Sequence, residues 1–184
     1  MPSHVLSRHP LLPLAACAVA LLAGCATPSR QGPVVPDNLK APAAQAFTLA
    51  AYATGVQIYE CQPGKADATR YEWVFKAPQA TLADRAGNNI GKHYGGPTWE
   101  ANDGSKVVGA VKANDPGPDA NAIPWLLLEA KSNSGQGLFG RTQSIQRVQT
   151  VGGKAPAQYC APAEAGKEAR IAYQAVYYFY GPTP

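Results

Sequence analysis

Apolar and polar positions along this chain alternate in short runs rather than in long helical stripes. Between residues 170 and 180, Ile171, Tyr173, Ala175, Tyr177 and Phe179 fall on one face and Ala172, Gln174, Val176, Tyr178 and Tyr180 on the other. That period of two is the mark of a strand. Residues 56–61 behave alike, with Val56, Ile58 and Glu60 against Gln57, Tyr59 and Cys61. Residues 47–53 form a similar run, and Thr54-Gly55 between the two predicts a tight hairpin. Residues 71–75 are aromatic and β-branched, and Pro78 predicts the end of that strand.

Turn chemistry punctuates the remainder. Gly87-Asn88-Asn89 predicts a turn, and Asn102-Asp103-Gly104-Ser105 predicts a hairpin joining two short strands. Gly109 inside the second arm predicts a bulge or a close backbone approach. Residues 114–119 are a loop. Trp125-Leu126-Leu127-Leu128 is continuously apolar, which predicts a strand covered on both faces. Residues 144–150 read as a polar strand near an edge or a solvated face, and residues 152–166 as a loop. Helix is confined to a possible turn near residues 80–84. Eight or nine short strands without helical period predict an all-β fold, an antiparallel β-sandwich or barrel with little helix.

The N-terminus follows another pattern. Residues 11–22 are almost wholly apolar and stand behind Arg8 and His9, too short a run for a span that needs about 20 residues. The run ends in Leu22-Ala23-Gly24-Cys25, which resembles the lipobox of bacterial lipoproteins. That resemblance implies cleavage before Cys25, acylation of its thiol and anchorage to a membrane. An ordinary signal cut near Ala26 is the alternative. Ala26 stands where an inner-membrane retention aspartate would, so the outer membrane is the expected address. Each buried methylene of an acyl chain contributes about 0.8 kcal/mol to such anchorage. The expected organisation is a leader over residues 1–24, a Pro-rich tether over residues 25–44 and one β domain over residues 45–184, with Pro28, Pro33, Pro36 and Pro42 stiffening the tether.

Cysteine usage changes with this reading. Cys17 leaves with the leader and Cys25 carries lipid, so Cys61 and Cys160 remain. In an oxidising compartment two cysteines favour a disulfide over a metal site, which wants three or four ligands. Two free buried thiols stay open as the other outcome. The formal net charge of +4 is scattered, with no basic run to suggest nucleic acid. The glycine-rich residues 132–140 lack the Lys-Ser/Thr ending of a phosphate cradle. No cofactor and no metal are expected.

Candidate chemistry gathers between residues 90 and 111, which hold His93, the sole histidine after the leader, with Trp99, Glu100 and Asp103. The plainest role for His93 is a backbone hydrogen bond that holds the Gly95-Gly96-Pro97 corner. A ligand-binding rim of His93, Trp99, Glu100 and Asp103, with Trp73 or Trp125 as apolar wall, is the functional alternative, for a small molecule or a glycan. A hydrolase or isomerase would instead use His93 with Asp103 or Glu100 as acid and base, though no serine sits in a nucleophile elbow. A structural envelope protein would need no pocket. Arg141 and Arg147 are candidate carboxylate or phosphate clamps, with pairing to a local acid or plain solvation as the simpler expectation.

Residues 55–61, His93 through Glu100 with Asp103-Gly104-Ser105, residues 123–128, Ile145-Gln146-Arg147 with Thr150 and Gly152-Gly153, and residues 177–180 together resemble an uncharacterised secreted family, domain of unknown function 3455. The resemblance spans roughly residues 34–180. It implies secretion and an all-β domain, and brings no activity, cofactor or catalytic residue. Some members carry the label malate dehydrogenase, which this chain contradicts by lacking a Gly-x-Gly-x-x-Gly turn and alternating strands and helices.

Overall fold

The computed structural model describes Met1 and residues 32–183. The rest of the expected leader after Met1, with Cys17, and the expected lipid site Cys25 lie outside the described residues.

Eight strands follow one another as β1 (Gln45–Pro63), β2 (Tyr71–Ala83), β3 (Asn89–Tyr94), β4 (Thr98–Ala101), β5 (Lys106–Asp115), β6 (Trp125–Ser134), β7 (Ser144–Gly152) and β8 (Glu168–Pro182). Each pairs antiparallel with the next, and β8 returns to β1, closing an up-and-down barrel. The expected all-β class is present, in its barrel form. The only helical pieces among the described residues are two 3-10 turns, Asp37–Leu39 and Pro162–Glu164.

Alternation decides which side chains fill the interior. Tyr173, Ala175, Tyr177 and Phe179 of β8 point inward, as do Ala51, Ala53 and Gln57 of β1. At the end where β2 meets β3 and β4 meets β5, Leu82, Ala101, Val107, Ile145 and Phe179 pack together. Phe139, from the β6–β7 loop, is fully buried against Phe179 with ring centroids 4.6 Å apart and plugs this end. An eight-stranded barrel is just wide enough to be filled by side chains or to hold one small molecule, and here the plugged half is filled.

Several local expectations give way to tertiary packing. Thr54-Gly55 makes no hairpin: β1 runs straight through it. A Cβ on Gly55 would lie 2.1 Å from the Gln79 carbonyl oxygen, so the glycine is there to let β2 approach, not to turn the chain. Pro78 does not end β2 either. Pairing with β3 starts only at Ala80, and a bulge near Lys76 precedes it, so the missing N–H falls on an unpaired stretch of edge. The possible helical turn near residues 80–84 is the last part of this strand. In β7, Ser144, Gln146 and Thr150 are buried instead of solvated.

Gln146 meets the Pro-rich segment before β1. Leu39 is fully buried on the outer wall, its carbonyl accepts a 2.6 Å bond from Gln146 Nε2, and Asn38 donates to Asn114 O at 3.0 Å. Tyr180 completes the network by donating to Gln146 Oε1 at 2.6 Å. The last part of the expected tether is therefore a strap on the barrel. It also explains why Leu127, on the outer face of β6, is apolar and buried.

Cys61 and Cys160 form a disulfide, with Cα atoms 6.0 Å apart and a sequence separation of 99. It pins the β7–β8 loop across the open end of the barrel, where Tyr59 donates to Gly153 O at 2.6 Å.

Candidate functional site

The wall of the barrel is uneven. β3 pairs with β2 only from Ala80 to Ala83, and β4 pairs with β5 only from Lys106 to Val108. Beyond these short ladders β2 and β5 carry on toward the disulfide end with no strand between them. The β3–β4 turn at Gly95-Gly96-Pro97 forms the lower edge of the resulting notch. Gly109 N–H donates to Pro97 O at 2.9 Å, securing the turn to β5.

A cavity of about 180 Å3 lies behind this notch. Phe75 and Pro78 of β2, Pro97 of the turn and Val111 of β5 line its outer side, and Leu126 and Leu128 line its inner side. Phe75 and Val111 are 51% and 57% exposed, unusual for large apolar side chains, and they flank the opening. Deeper in, His93 stacks on Trp99 at 4.4 Å, and Tyr177 meets both rings edge-on at 5.0 and 5.2 Å. This aromatic cluster separates the cavity from the packed half of the barrel.

His93 is held by geometry and by desolvation. Its Nδ1–H donates to Thr98 O at 2.8 Å, a cross-strand bond made possible because His93 and Trp99 are register partners. Burial pushes its pKa down to about 3, and the positive charge of Arg147 acts in the same direction. It is a neutral imidazole at physiological pH, with Nε2 unpartnered among the described residues. The phenols of Tyr173 and Tyr177, 3.4 Å apart, are pushed up by burial and stay protonated.

Beside His93, Tyr177 and Lys76, three further polar groups interrupt the apolar lining. The Gln57 side chain is 2% exposed, and its Nε2 has no hydrogen-bond partner. Trp99 is 1% exposed, and its Nε1 has none either. Buried donors without acceptors are uncommon in folded proteins because each costs about 1–3 kcal/mol. Arg147 lines the same cavity; its Nε and Nη2 donate to Pro124 O at 3.1 and 2.8 Å, and it makes no ion pair among the described residues.

The six sequence candidates separate in space. His93 and Trp99 line the cavity. Glu100, next along β4, faces outward, where it accepts from Tyr94 at 2.7 Å and bridges Lys106 and Lys92 at 3.2 and 3.5 Å; these partners hold its carboxyl below the usual range. Asp103 sits in the β4–β5 turn at the plugged end, accepting from Ser105 N and Oγ and from Leu138 N. Neither acid meets His93, so the pairing imagined for a hydrolase or isomerase is absent. Trp73 lies opposite Cys61, and Trp125 packs over Gly117. Neither lines the cavity.

The residues that sequence reasoning passed over are Gln57, Phe75, Val111 and Tyr177. Arg147, a candidate clamp, stands on the cavity lining, half-buried and without an acid partner among the described residues. A signal existed for Gln57: an amide on the same strand face as Tyr59 and Cys61 is out of place in a core.

The outer wall carries a second, wide groove of about 630 Å3, among Thr54, Val56, Gln79, Thr81, Lys92 and Arg170, polar and open. No three of His, Cys, Asp and Glu gather into a metal-binding cluster among the described residues.

Fold and site together define an eight-stranded up-and-down barrel with a hollow beneath a lateral notch. Residues 42–181 match the family described as "Protein of unknown function (DUF3455)", and the chain belongs to it. No curated protein and no solved structure matches the chain.

Proposed function

We propose that this protein is an outer-membrane lipoprotein of the periplasm, anchored through Cys25, whose barrel binds one small and largely apolar molecule. The observation that carries the binding reading is the cavity. An apolar hollow of this size accommodates a single aromatic ring, and a ligand there would cover the exposed edges of Phe75 and Val111. Convergence of a few polar groups on an apolar pocket is the usual composition of a ligand site. Glu100 and Asp103 are engaged away from the cavity, so the acid–base pair with His93 that a hydrolase or isomerase would use is not assembled there.

Titration of the purified chain with benzyl alcohol, followed by amide and indole NMR signals, tests the binding reading. Shifts concentrated at Trp99, Leu128 and Tyr177 are expected. A response spread evenly over the surface, or none, overturns it. The anchor is tested separately, by metabolic labelling with palmitate: label is expected on the native chain and absent from Cys25→Ser.

A further inference from the structure

The charge inside the barrel narrows the chemistry of what enters it. We propose that the ligand is a small organic anion, a carboxylate carried on an apolar body no larger than one ring or a short acyl chain, with Arg147 and Gln57 as its recognition groups. This inference rests on the binding reading above and specifies it.

Arg147 is the starting point. It projects from β7 into a cavity whose other lining is mostly apolar, and no carboxylate among the described residues forms an ion pair with it. The other cation of the lining, Lys76, is already neutralised by Glu60 at 2.6 Å and Glu168 at 3.0 Å. The guanidinium is only partly buried and no protein carboxylate pairs with it, so a ligand carboxylate would meet an open charge at the mouth of an apolar hollow. Its field reaches the cluster behind the cavity, acting on His93, Tyr173 and Tyr177. Two of its nitrogens share the Pro124 carbonyl, which fixes the plane of the fork, and the guanidinium also acts on the Tyr177 hydroxyl at the inner end of the cavity.

The neutral polar groups point the same way. Two buried donors lack partners, Gln57 Nε2 and Trp99 Nε1, against one open acceptor on the same lining, Nε2 of neutral His93. A guanidinium, a carboxamide N–H and an indole N–H outnumber that acceptor and favour a ligand group rich in acceptors. A carboxylate is such a group, with two oxygens, and suits the planar fork of arginine. The apolar side of the hollow, formed by Leu126, Leu128 and Val111, then takes the hydrocarbon. The cavity's volume sets the limit on its size.

Isothermal titration of the full chain with benzoate and hexanoate, each against its neutral counterpart benzyl alcohol or hexanol, tests this. The acids are expected to bind about tenfold or more tighter than the alcohols, the range of a charge-assisted hydrogen bond. Arg147→Met is expected to erase that preference while leaving alcohol affinity within about twofold, and Gln57→Leu to weaken the acids only. Alcohols binding as tightly as acids would overturn the anion proposal and leave the binding reading standing. Binding of neither class would remove both. Should Arg147→Met fail to fold, the acid-to-alcohol ratio on the unaltered chain decides the matter.

Discussion

At the scale of single residues, His93 shows how burial sets chemistry. The imidazole is 3% exposed, sandwiched by Trp99 and Tyr177, and its pKa falls from 6.5 to about 3. The folded state therefore binds fewer protons than the unfolded state between those values, and stability must fall as the medium is acidified through that interval. Above about pH 6.5 the contribution is complete. Below it the loss accrues at up to about 1.4 kcal/mol per pH unit. Thermal melts between pH 5 and 8 are expected to show this slope, and His93→Gln to flatten it. A native chain equally stable at pH 5 and pH 7 would contradict a neutral buried imidazole. The residue was conspicuous in the sequence because it is unique after the leader, and its backbone bond at the Gly95-Gly96-Pro97 corner follows from that position. That it also borders a cavity depends on β2 and β5, which are distant in the chain.

At the scale of elements, β4 illustrates both what patterning conveys and what it hides. Asp103-Gly104 announced the β4–β5 hairpin correctly, and Gly104 adopts the positive φ of 84° that such a turn requires. Yet Trp99, Glu100 and Asp103, adjacent in sequence, go to the interior, the outer wall and the far turn. Two-residue alternation sends neighbours to opposite faces, so clustering along a strand is poor evidence for clustering in a site. Asp103 works on structure: Asp103→Ala is expected to speed amide exchange at Ser105 and Leu138 and to loosen the loop carrying Phe139, with little change at Leu128. The misread of Thr54-Gly55 has a similar origin. A glycine that relieves a close approach and a glycine that turns the chain look identical until the neighbouring strand is known. Alternation in β8 was legible throughout because one face is core along its whole length.

The Cys61–Cys160 bridge belongs to the same scale, since it fastens the β7–β8 loop to β1. Closing 99 residues of chain contributes about 4–5 kcal/mol in the chain-entropy treatment. Reduction is expected to lower the urea midpoint accordingly and to add two alkylatable thiols by mass. An unchanged midpoint would contradict a stabilising contribution from the bridge.

At the scale of the whole molecule, the barrel is divided between a half filled by side chains and a half left hollow. Phe139 closes the filled half, and Phe139→Ala is expected to cost about 3–5 kcal/mol, measured by denaturant unfolding. Because Trp99 and Phe179 stand between Phe139 and the hollow, affinity for a ligand in the hollow is expected to remain. The strand count and the antiparallel class were legible from turn spacing. Closure was not, since nothing local to β1 or β8 announces that they pair with each other.

That pairing has a consequence for when the chain can fold. β1 is the first strand made and β8 the last, and they run side by side from Gln45 to Glu60. The cylinder cannot shut until synthesis of the polypeptide is nearly finished, and pairings this distant in sequence form slowly. A chain still being made lacks the partner strand it needs to lock, and so stays pliable until its last residues emerge.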